Sequence, residues 1–225
     1  MDYVFHFGDI WAARDELIDG TLLTLRLSAL SMILSLIVAI AGAFARTSGP
    51  AWLKAIVAAY VELIRNTPFL VQIFLIFFGL PTMGIRLDAN TGALIAMVLN
   101  GSAYTIEIVR AGIESIGHGQ TEAAHALGLN RFRTFRLIIL PQALRVVVPP
   151  LGSQFILLML NSSVCSVISA DELTAATQDI QARTFRPFEA FIVATGIYFV
   201  LSMLFSSTFA AIERFAFGGP KERGR

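Results

Sequence analysis

The sequence predicts an all-α integral membrane protein with five transmembrane helices. Of its 225 residues, 56% are hydrophobic and only 15% are charged, and the mean hydropathy is +0.70. Soluble domains carry about 25% charged residues, so this much apolar surface suits lipid better than water. The apolar runs are continuous rather than alternating, which argues against a membrane β-barrel.

Five apolar segments are long enough to cross a bilayer, which requires about 20 residues of helix. They cover residues 21–45, 54–80, 90–113, 150–170 and 189–213. Pro68 is expected to interrupt hydrogen bonding within the second span, and Pro149-Pro150 is expected to start the fourth. Residues 1–20 are acidic, unlike the basic head of a signal peptide, so the first span is expected to remain in the mature protein.

Lysine and arginine are distributed unequally between the two sides of this five-span arrangement, and cytoplasmic connections usually carry the excess. Ten lie on one side: Arg46, Lys54, Arg131, Arg133, Arg136, Arg145, Arg214, Lys221, Arg223 and Arg225. Four lie on the other: Arg14, Arg86, Arg183 and Arg186. We therefore predict an extracytoplasmic segment over residues 1–20 and a basic cytoplasmic tail over residues 214–225.

Charged residues within the second span are candidates for function. Arg65 lies about 16 Å along the helix from Lys54, near mid-membrane, where an ionisable group is costly. It is the candidate for binding a substrate carboxylate, and an ion pair with Glu62 is the structural alternative. Helices broken at mid-depth expose backbone groups to substrates in transporters, which makes Thr67, beside Pro68, a second candidate; a packing kink is the alternative. Glu107 and Arg110 are predicted to form a structural pair.

The fourth span carries polar side chains on an otherwise apolar segment. Residues 154, 158, 161 and 165 form one helical stripe, so Gln154 and Asn161 can face the same cavity. With Ser162, they are predicted to line a substrate path. Hydrogen bonding between helices uses the same residue types and is the alternative.

The connection between spans three and four contains "EAAHALGLNRFRTFRLIILPQ", from Glu122 to Gln142. Its first part predicts a short helix that ends at Gly128, where a glycine cap requires a positive φ. The basic and apolar residues that follow suit a helix at the membrane interface, and Pro141 predicts a bend before span four. An ordinary basic loop is the simpler interpretation.

The spacing of Glu122-Ala123-Ala124, Gly128, Ile138 and Leu140-Pro141 resembles the EAA loop of ABC-importer permeases. Further segments resemble the polar amino-acid uptake permeases of the histidine, glutamine and arginine type. They are "IRNTPFLVQIFLIFFGLP" (64–81), "SAYTIEIVRAGIESI" (102–116), "PQALRVVVPPLGSQFI" (141–156) and "TFRPFEAF" (184–191). Asn66 stands where relatives have glycine, and Leu160 where many have lysine.

The resemblance implies a five-helix permease in the bacterial inner membrane, with the EAA loop (about 118–141) forming a cytoplasmic coupling helix. The coupling residues would be Glu122, Ala123, Ala124, Leu127 and Gly128. The implied partners are a second permease, identical or homologous, two cytoplasmic ATPases that bind ATP and Mg, and an extracytoplasmic solute-binding protein. The cargo would be a polar or charged amino acid or a close derivative.

Other functions are less well supported by the residues. The chain has no phosphate-binding glycine loop followed by Lys-Ser or Lys-Thr, so it is expected not to hydrolyse ATP and to hold no cofactor. His6, His118, His125 and Cys165 are too scattered to predict a metal site. No nucleic-acid partner is predicted. The main alternative is an ion-gradient-driven carrier that uses Glu62 and Arg65, and a membrane enzyme is a weaker one.

Overall fold

The computed structural model describes residues 3–217, and every regular element within that range is helical. Lys221, Arg223 and Arg225, which contribute to the predicted charge asymmetry, lie outside the described residues. The α-helices are α1 (Gly8–Ala12), α2 (Arg14–Ser48), α3 (Ala51–Arg65), α4 (Phe69–Gly79), α5 (Ala89–Glu114), α6 (His118–Ala126), α7 (Arg131–Thr134), α8 (Leu140–Asn161), α9 (Leu173–Thr184) and α10 (Pro187–Phe217). Shorter turns of 3₁₀ helix cover Leu80–Met83 and Ser162–Ile168, and a π-helical turn covers Phe135–Ile139.

Four helical stretches in the described residues are long and apolar enough to cross a membrane. They are Arg14–Ser48, Ala89–Glu114, Phe132–Ile168 and Pro187–Ala216. The pair Ala51–Arg65 and Phe69–Met83 makes a fifth span if the two helices are counted together. The prediction of an all-helical protein with several membrane spans is confirmed, with four to five candidate spans.

The second predicted span is not one straight helix over residues 54–80. Its two helical parts, Ala51–Arg65 and Phe69–Met83, are bent by 108° relative to each other. The break lies at Asn66, Thr67 and Pro68, because proline has no backbone N–H and disfavours helical geometry in the residue before it. The predicted interruption at Pro68 is confirmed, and it separates two helices instead of only kinking one.

The predicted start of the fourth span at Pro149-Pro150 is wrong. Both prolines lie inside α8, which begins at Leu140. Pro141 is the second residue of α8, which directly follows the π-helical turn, and the helical stretch Phe132–Ile168 runs through it. The bend predicted at Pro141 therefore does not interrupt the helix. Helix α5 packs closely against this part of α8, since a Cβ at Gly112 would lie 2.0 Å from Cγ2 of Val147.

Small side chains bring α2 and α5 together at the centre of the molecule. The buried positions of α2 recur every three or four residues: Thr24, Leu27, Ser28, Ser31, Ser35, Ala39 and Ala43. At Gly101 of α5, a Cβ would lie 2.6 Å from Oγ of Ser35 and 3.0 Å from Cδ2 of Leu158. Small residues let helix backbones approach closely, which is the usual basis of helix association in membranes. The result is a core in which α5 packs between α2 and α8.

Helix α9 and the amino-terminal segment close one end of the bundle, and neither contact was predicted from the sequence. Ile10 and Leu17 pack with Leu173 and Ile180 of α9. Glu172 caps α9, accepting hydrogen bonds from the backbone N–H groups of residues 174 and 175 at 3.0 and 2.9 Å. Burial raises the pKa of the Glu172 carboxyl above its usual value, although these hydrogen bonds act in the opposite direction.

Candidate substrate path and coupling segment

The break between α3 and α4 leaves backbone carbonyl groups without the N–H donors that a continuous helix would supply. In a helix, the N–H of residue 68 would donate to the carbonyl of Ile64, but Pro68 has no N–H. The side chain of Gln72 replaces it, with Nε2 lying 2.7 Å from the Ile64 carbonyl oxygen. The same Nε2 lies 3.0 Å from the Thr67 carbonyl oxygen and 2.9 Å from its Oγ1. Thr67 is therefore held in place at the break, and it is partly exposed.

Arg65 ends α3 beside this break, and its side chain is 43% exposed. The ion pair with Glu62, which was the structural alternative, does not form. Instead, the Arg65 guanidinium lies 4.0 Å from the Glu107 carboxylate and 5.6 Å from the Tyr104 ring centroid, both on α5. The Glu62 carboxylate accepts a hydrogen bond from Asn66 at 2.9 Å. Arg65 thus keeps part of its surface available to a ligand while a second helix orients it.

The Glu107 carboxylate lies close to arginine side chains from three helices. Arg46 of α2 lies 3.8 Å from its carboxylate, and Arg110 lies 2.8 Å away on the same helix. The predicted pairing of Glu107 with Arg110 is confirmed. Because Glu107 retains Arg46 and Arg110 as neighbours, it does not depend on Arg65 alone for charge compensation.

The polar residues of the fourth predicted span, which covers the end of α8 and the 3₁₀ turn after it, do not all face the same way. Gln154 and Asn161 are partly exposed, whereas Leu158 and Cys165, on the same predicted stripe, are fully buried in the core. Ser162 is also fully buried, and its hydroxyl donates to the Met159 carbonyl at 2.7 Å. Gln154 and Asn161 therefore have surface that a substrate could contact, and Ser162 faces the protein interior.

The first part of the connecting segment forms the short helix that its residues predict. Helix α6 ends at Ala126, and Gly128 has φ of +76°. The N–H of Gly128 donates to the His125 carbonyl at 2.9 Å, and that of Leu129 donates to the Ala124 carbonyl at 3.0 Å. These two bonds define a Schellman motif, which satisfies the last carbonyl groups of the helix. The predicted glycine cap with positive φ is confirmed.

The exposed face of α6 differs from the predicted contact face at one position. Glu122 and Ala123 are exposed, and Leu127 is 80% exposed. Ala124 is only 2% exposed, so its assignment to the docking face is corrected: it packs against the chain itself. Helix α6 contacts α7 and the π-helical turn, and this contact covers one side of α6. Glu122, Ala123 and Leu127 remain available to another protein.

Two residues at the break were missed in the sequence. Gln72 is 7% exposed and Asn100 of α5 is 4% exposed, and the Asn100 amide donates to Oε1 of Gln72 at 3.0 Å. A signal was present, because Gln72 follows Pro68 by four residues. A proline that leaves a carbonyl unsatisfied within an apolar span calls for a nearby side-chain donor. The partner Asn100 could be identified only from the packing of α5.

Comparison with known proteins agrees with this geometry. A family described as "Binding-protein-dependent transport system inner membrane component" matches residues 22–216. The glutamine transport system permease protein GlnP of Escherichia coli (strain K12) is 38% identical over 213 residues, which cover 93% of this chain and 97% of the relative. The L-cystine transport system permease protein TcyB of Bacillus subtilis (strain 168) is 40% identical over 196 residues, covering 87% and 84%.

A solved structure extends the likeness to the whole fold. The crystal structure of an amino acid ABC transporter with histidines superposes with a TM-score of 0.88 and 35% sequence identity, covering 95% of this chain and 100% of that one. The resemblance inferred from the EAA loop and the flanking motifs is confirmed by sequence and by structure. The chain belongs to the family of inner-membrane components of binding-protein-dependent transport systems.

Proposed function

We propose that this chain is the membrane-spanning permease subunit of an ATP-binding-cassette importer that carries an amino acid or a close derivative. The observation that carries the proposal is the 38% identity to a glutamine permease over 93% of the chain. The likeness to an L-cystine permease supports the same class of cargo. A free amino acid carries a carboxylate and an ammonium, and both need polar partners inside a membrane.

The substrate path we propose runs past the break and along α8. Arg65 is the proposed partner of the substrate carboxylate, because its side chain is partly exposed and its guanidinium is oriented by Glu107 of α5. Thr67, Gln154 and Asn161 offer hydrogen-bonding groups with exposed surface. Ser162 supports the end of α8 from within and is proposed to act indirectly.

Helix α6 is the proposed coupling helix. Glu122, Ala123 and Leu127 would contact a cytoplasmic ATPase, while Ala124 holds α6 against the chain and Gly128 shapes its exit. The other partners would be a second ATPase, a second permease and an extracytoplasmic solute-binding protein. ATP and Mg would be bound by the ATPases, with no cofactor in this chain. The motif spacing and the family membership support these assignments.

The protein is proposed to lie in the bacterial inner membrane, with its amino terminus outside and its carboxyl terminus in the cytoplasm. The ten-to-four distribution of lysine and arginine supports this orientation. It would place α6 in the cytoplasm and α9 on the opposite side. An ion-gradient-driven carrier is not favoured, because the chain belongs to a family of binding-protein-dependent systems.

Purification of the native complex tests the proposal. The tagged permease would be produced in its native cells and extracted in mild detergent. Its co-purifying subunits and any bound small molecule would be identified by mass spectrometry. We expect ATPase subunits to co-purify and vesicles to take up L-glutamine or L-cystine only with ATP and binding protein present. Uptake that follows an ion gradient without ATP would contradict the importer assignment.

A further inference from the structure

The break between α3 and α4 is tied to α5 by a short chain of buried amide groups. Asn100 donates to Oε1 of Gln72, and Gln72 in turn donates to the carbonyl groups of Ile64 and Thr67. The bond to Oε1 orients the glutamine amide, since it leaves Nε2 facing the break. An unsatisfied backbone carbonyl inside a membrane protein is costly, so the bonds from Nε2 stabilise this geometry.

Both halves of the broken span are attached to α5, but by different residues. The Tyr60 hydroxyl of α3 lies 2.6 Å from the Leu99 carbonyl oxygen and 2.7 Å from Oγ of Ser102. On the α4 side, the attachment is the hydrogen bond between Gln72 and Asn100. These contacts on α5 lie within one turn of each other. A movement of α5 would therefore reach the two sides of the break together.

Helix α5 also leads directly into the proposed coupling helix. It ends at Glu114, and α6 begins at His118, so three residues separate them. The first of these, Ser115, still bonds its N–H to the Ala111 carbonyl at 2.9 Å, which continues the helix by one residue. A displacement of α6 is thus passed to α5 through a short connection.

We propose that Gln72 is a positioning residue for transport. It supplies the donor that Pro68 lacks, and through Asn100 it makes the break, with Arg65 and Thr67, follow the movement of α5. This inference rests on the proposed function, because it assigns a route from the ATPase-facing helix to the substrate path. The route consists of α6, α5, Asn100, Gln72 and the break.

The test measures ATP hydrolysed per L-glutamine carried, in vesicles that contain the complete complex. This ratio does not depend on how much complex assembles. Gln72→Met keeps the size of the side chain and removes its donors and acceptor. We expect it to raise the ratio about tenfold or more, because the carbonyl groups of Ile64 and Thr67 both lose their side-chain donor. Asn100→Ala, which frees Gln72 from α5, is expected to raise the ratio in the same direction.

Asn90→Ala is the matched control for Asn100→Ala. Asn90 also lies on α5 and donates its amide, at 3.2 Å to the Asp171 carboxylate, but this bond is exposed and lies ten residues from Asn100. We expect its ratio to stay within about twofold of wild type, since exposed groups can bond to water instead. Amide hydrogen exchange over residues 62–69 should rise in Gln72→Met and stay unchanged in the control.

A ratio of ATP hydrolysed to L-glutamine carried that is unchanged in both Gln72→Met and Asn100→Ala would overturn the proposal. This includes the case in which uptake and ATPase activity fall in parallel. If the Gln72→Met complex does not assemble, the ratio in Asn100→Ala decides: a raised ratio supports the proposal and an unchanged ratio overturns it. Failure of the proposed function gives a different result, because the wild-type complex would then show no ATP-dependent uptake. A coupled wild type with unaffected variants would contradict this inference alone.

Discussion

Arg65 shows how one residue at the break can serve both the structure and a ligand. Its guanidinium contacts Glu107 and Tyr104, yet 43% of the side chain is exposed. We predict that Arg65→Ala lowers uptake about tenfold or more, because a charge-assisted hydrogen bond to the substrate carboxylate is lost. Uptake is measured in vesicles, and assembly of the complex is measured by co-purification of the ATPase. The ATPase should remain bound to the Arg65→Ala permease.

Arg46→Ala is the matched control for Arg65. Arg46 also lies beside the Glu107 carboxylate, at 3.8 Å, but its side chain is only 21% exposed and it lies in the last turn of α2. The Arg46→Ala substitution removes a comparable ion pair but does not alter the break between α3 and α4. Uptake should therefore remain near the wild-type level. If Arg65→Ala prevents assembly of the complex, Arg65 is structural and its role in binding is wrong.

Asn161 and Ser162 are adjacent in sequence but differ in what they can contact. Asn161 is partly exposed, while the Ser162 hydroxyl is buried and bonded to the Met159 carbonyl. We predict that Asn161→Ala raises the half-saturating substrate concentration about tenfold, whereas Ser162→Ala changes it little. Concentration-dependent uptake at equal expression is the measurement. The same half-saturating concentration in wild type and Asn161→Ala would remove Asn161 from the path.

At the scale of the element, the exit of α6 depends on one backbone conformation. Gly128 has φ of +76°, and a Cβ built there meets no atom within 4 Å. Replacement by valine therefore strains only the backbone, by about 1–2 kcal/mol. We predict that Gly128→Val reorients α6 and weakens ATPase binding, measured by pull-down and uptake. Gly128→Asn should be milder, because asparagine tolerates positive φ. Equal loss in both would argue against strain as the cause.

The docking face of α6 can be tested without disturbing its fold. Leu127 is 80% exposed, so aspartate at this position is solvated in the free permease and becomes an unpaired charge only when another protein covers it. Burial of such a charge costs several kcal/mol. We predict that Leu127→Asp abolishes ATPase pull-down while leaving the permease folded, as judged by its elution in size-exclusion chromatography. Ala124→Asp should instead unfold α6, because Ala124 is buried within the chain. Normal pull-down of Leu127→Asp would leave α6 without a coupling role.

For the whole molecule, the number of membrane crossings depends on whether α3 and α4 together make one span. An odd number places the two termini on opposite sides of the membrane. We predict that single cysteines at Asp15 and at Lys221, in a Cys165→Ser background, react from opposite sides. A membrane-impermeant thiol reagent added outside should label only the first. Labelling of both from one side would mean that α3 and α4 form a re-entrant loop.

The sequence determined the features that depend on neighbouring residues. Apolar length predicted the spans, Pro68 predicted the break, and Gly128 predicted the cap of α6. Each follows from groups within a few residues: a missing N–H, a missing Cβ, or a run of apolar side chains. The motif from Glu122 to Pro141 and its flanking segments were sufficient to place the chain in its family.

Only the tertiary structure decided which groups meet across helices. Arg65 contacts Glu107 on α5 instead of Glu62 on its own helix, and Ala124 faces the chain instead of a partner. Helix α8 continues through Pro149 and Pro150, and Asn100 of α5 reaches Gln72 of α4. These outcomes depend on the rotation and spacing of helices far apart in sequence, which the periodicity of one helix does not specify.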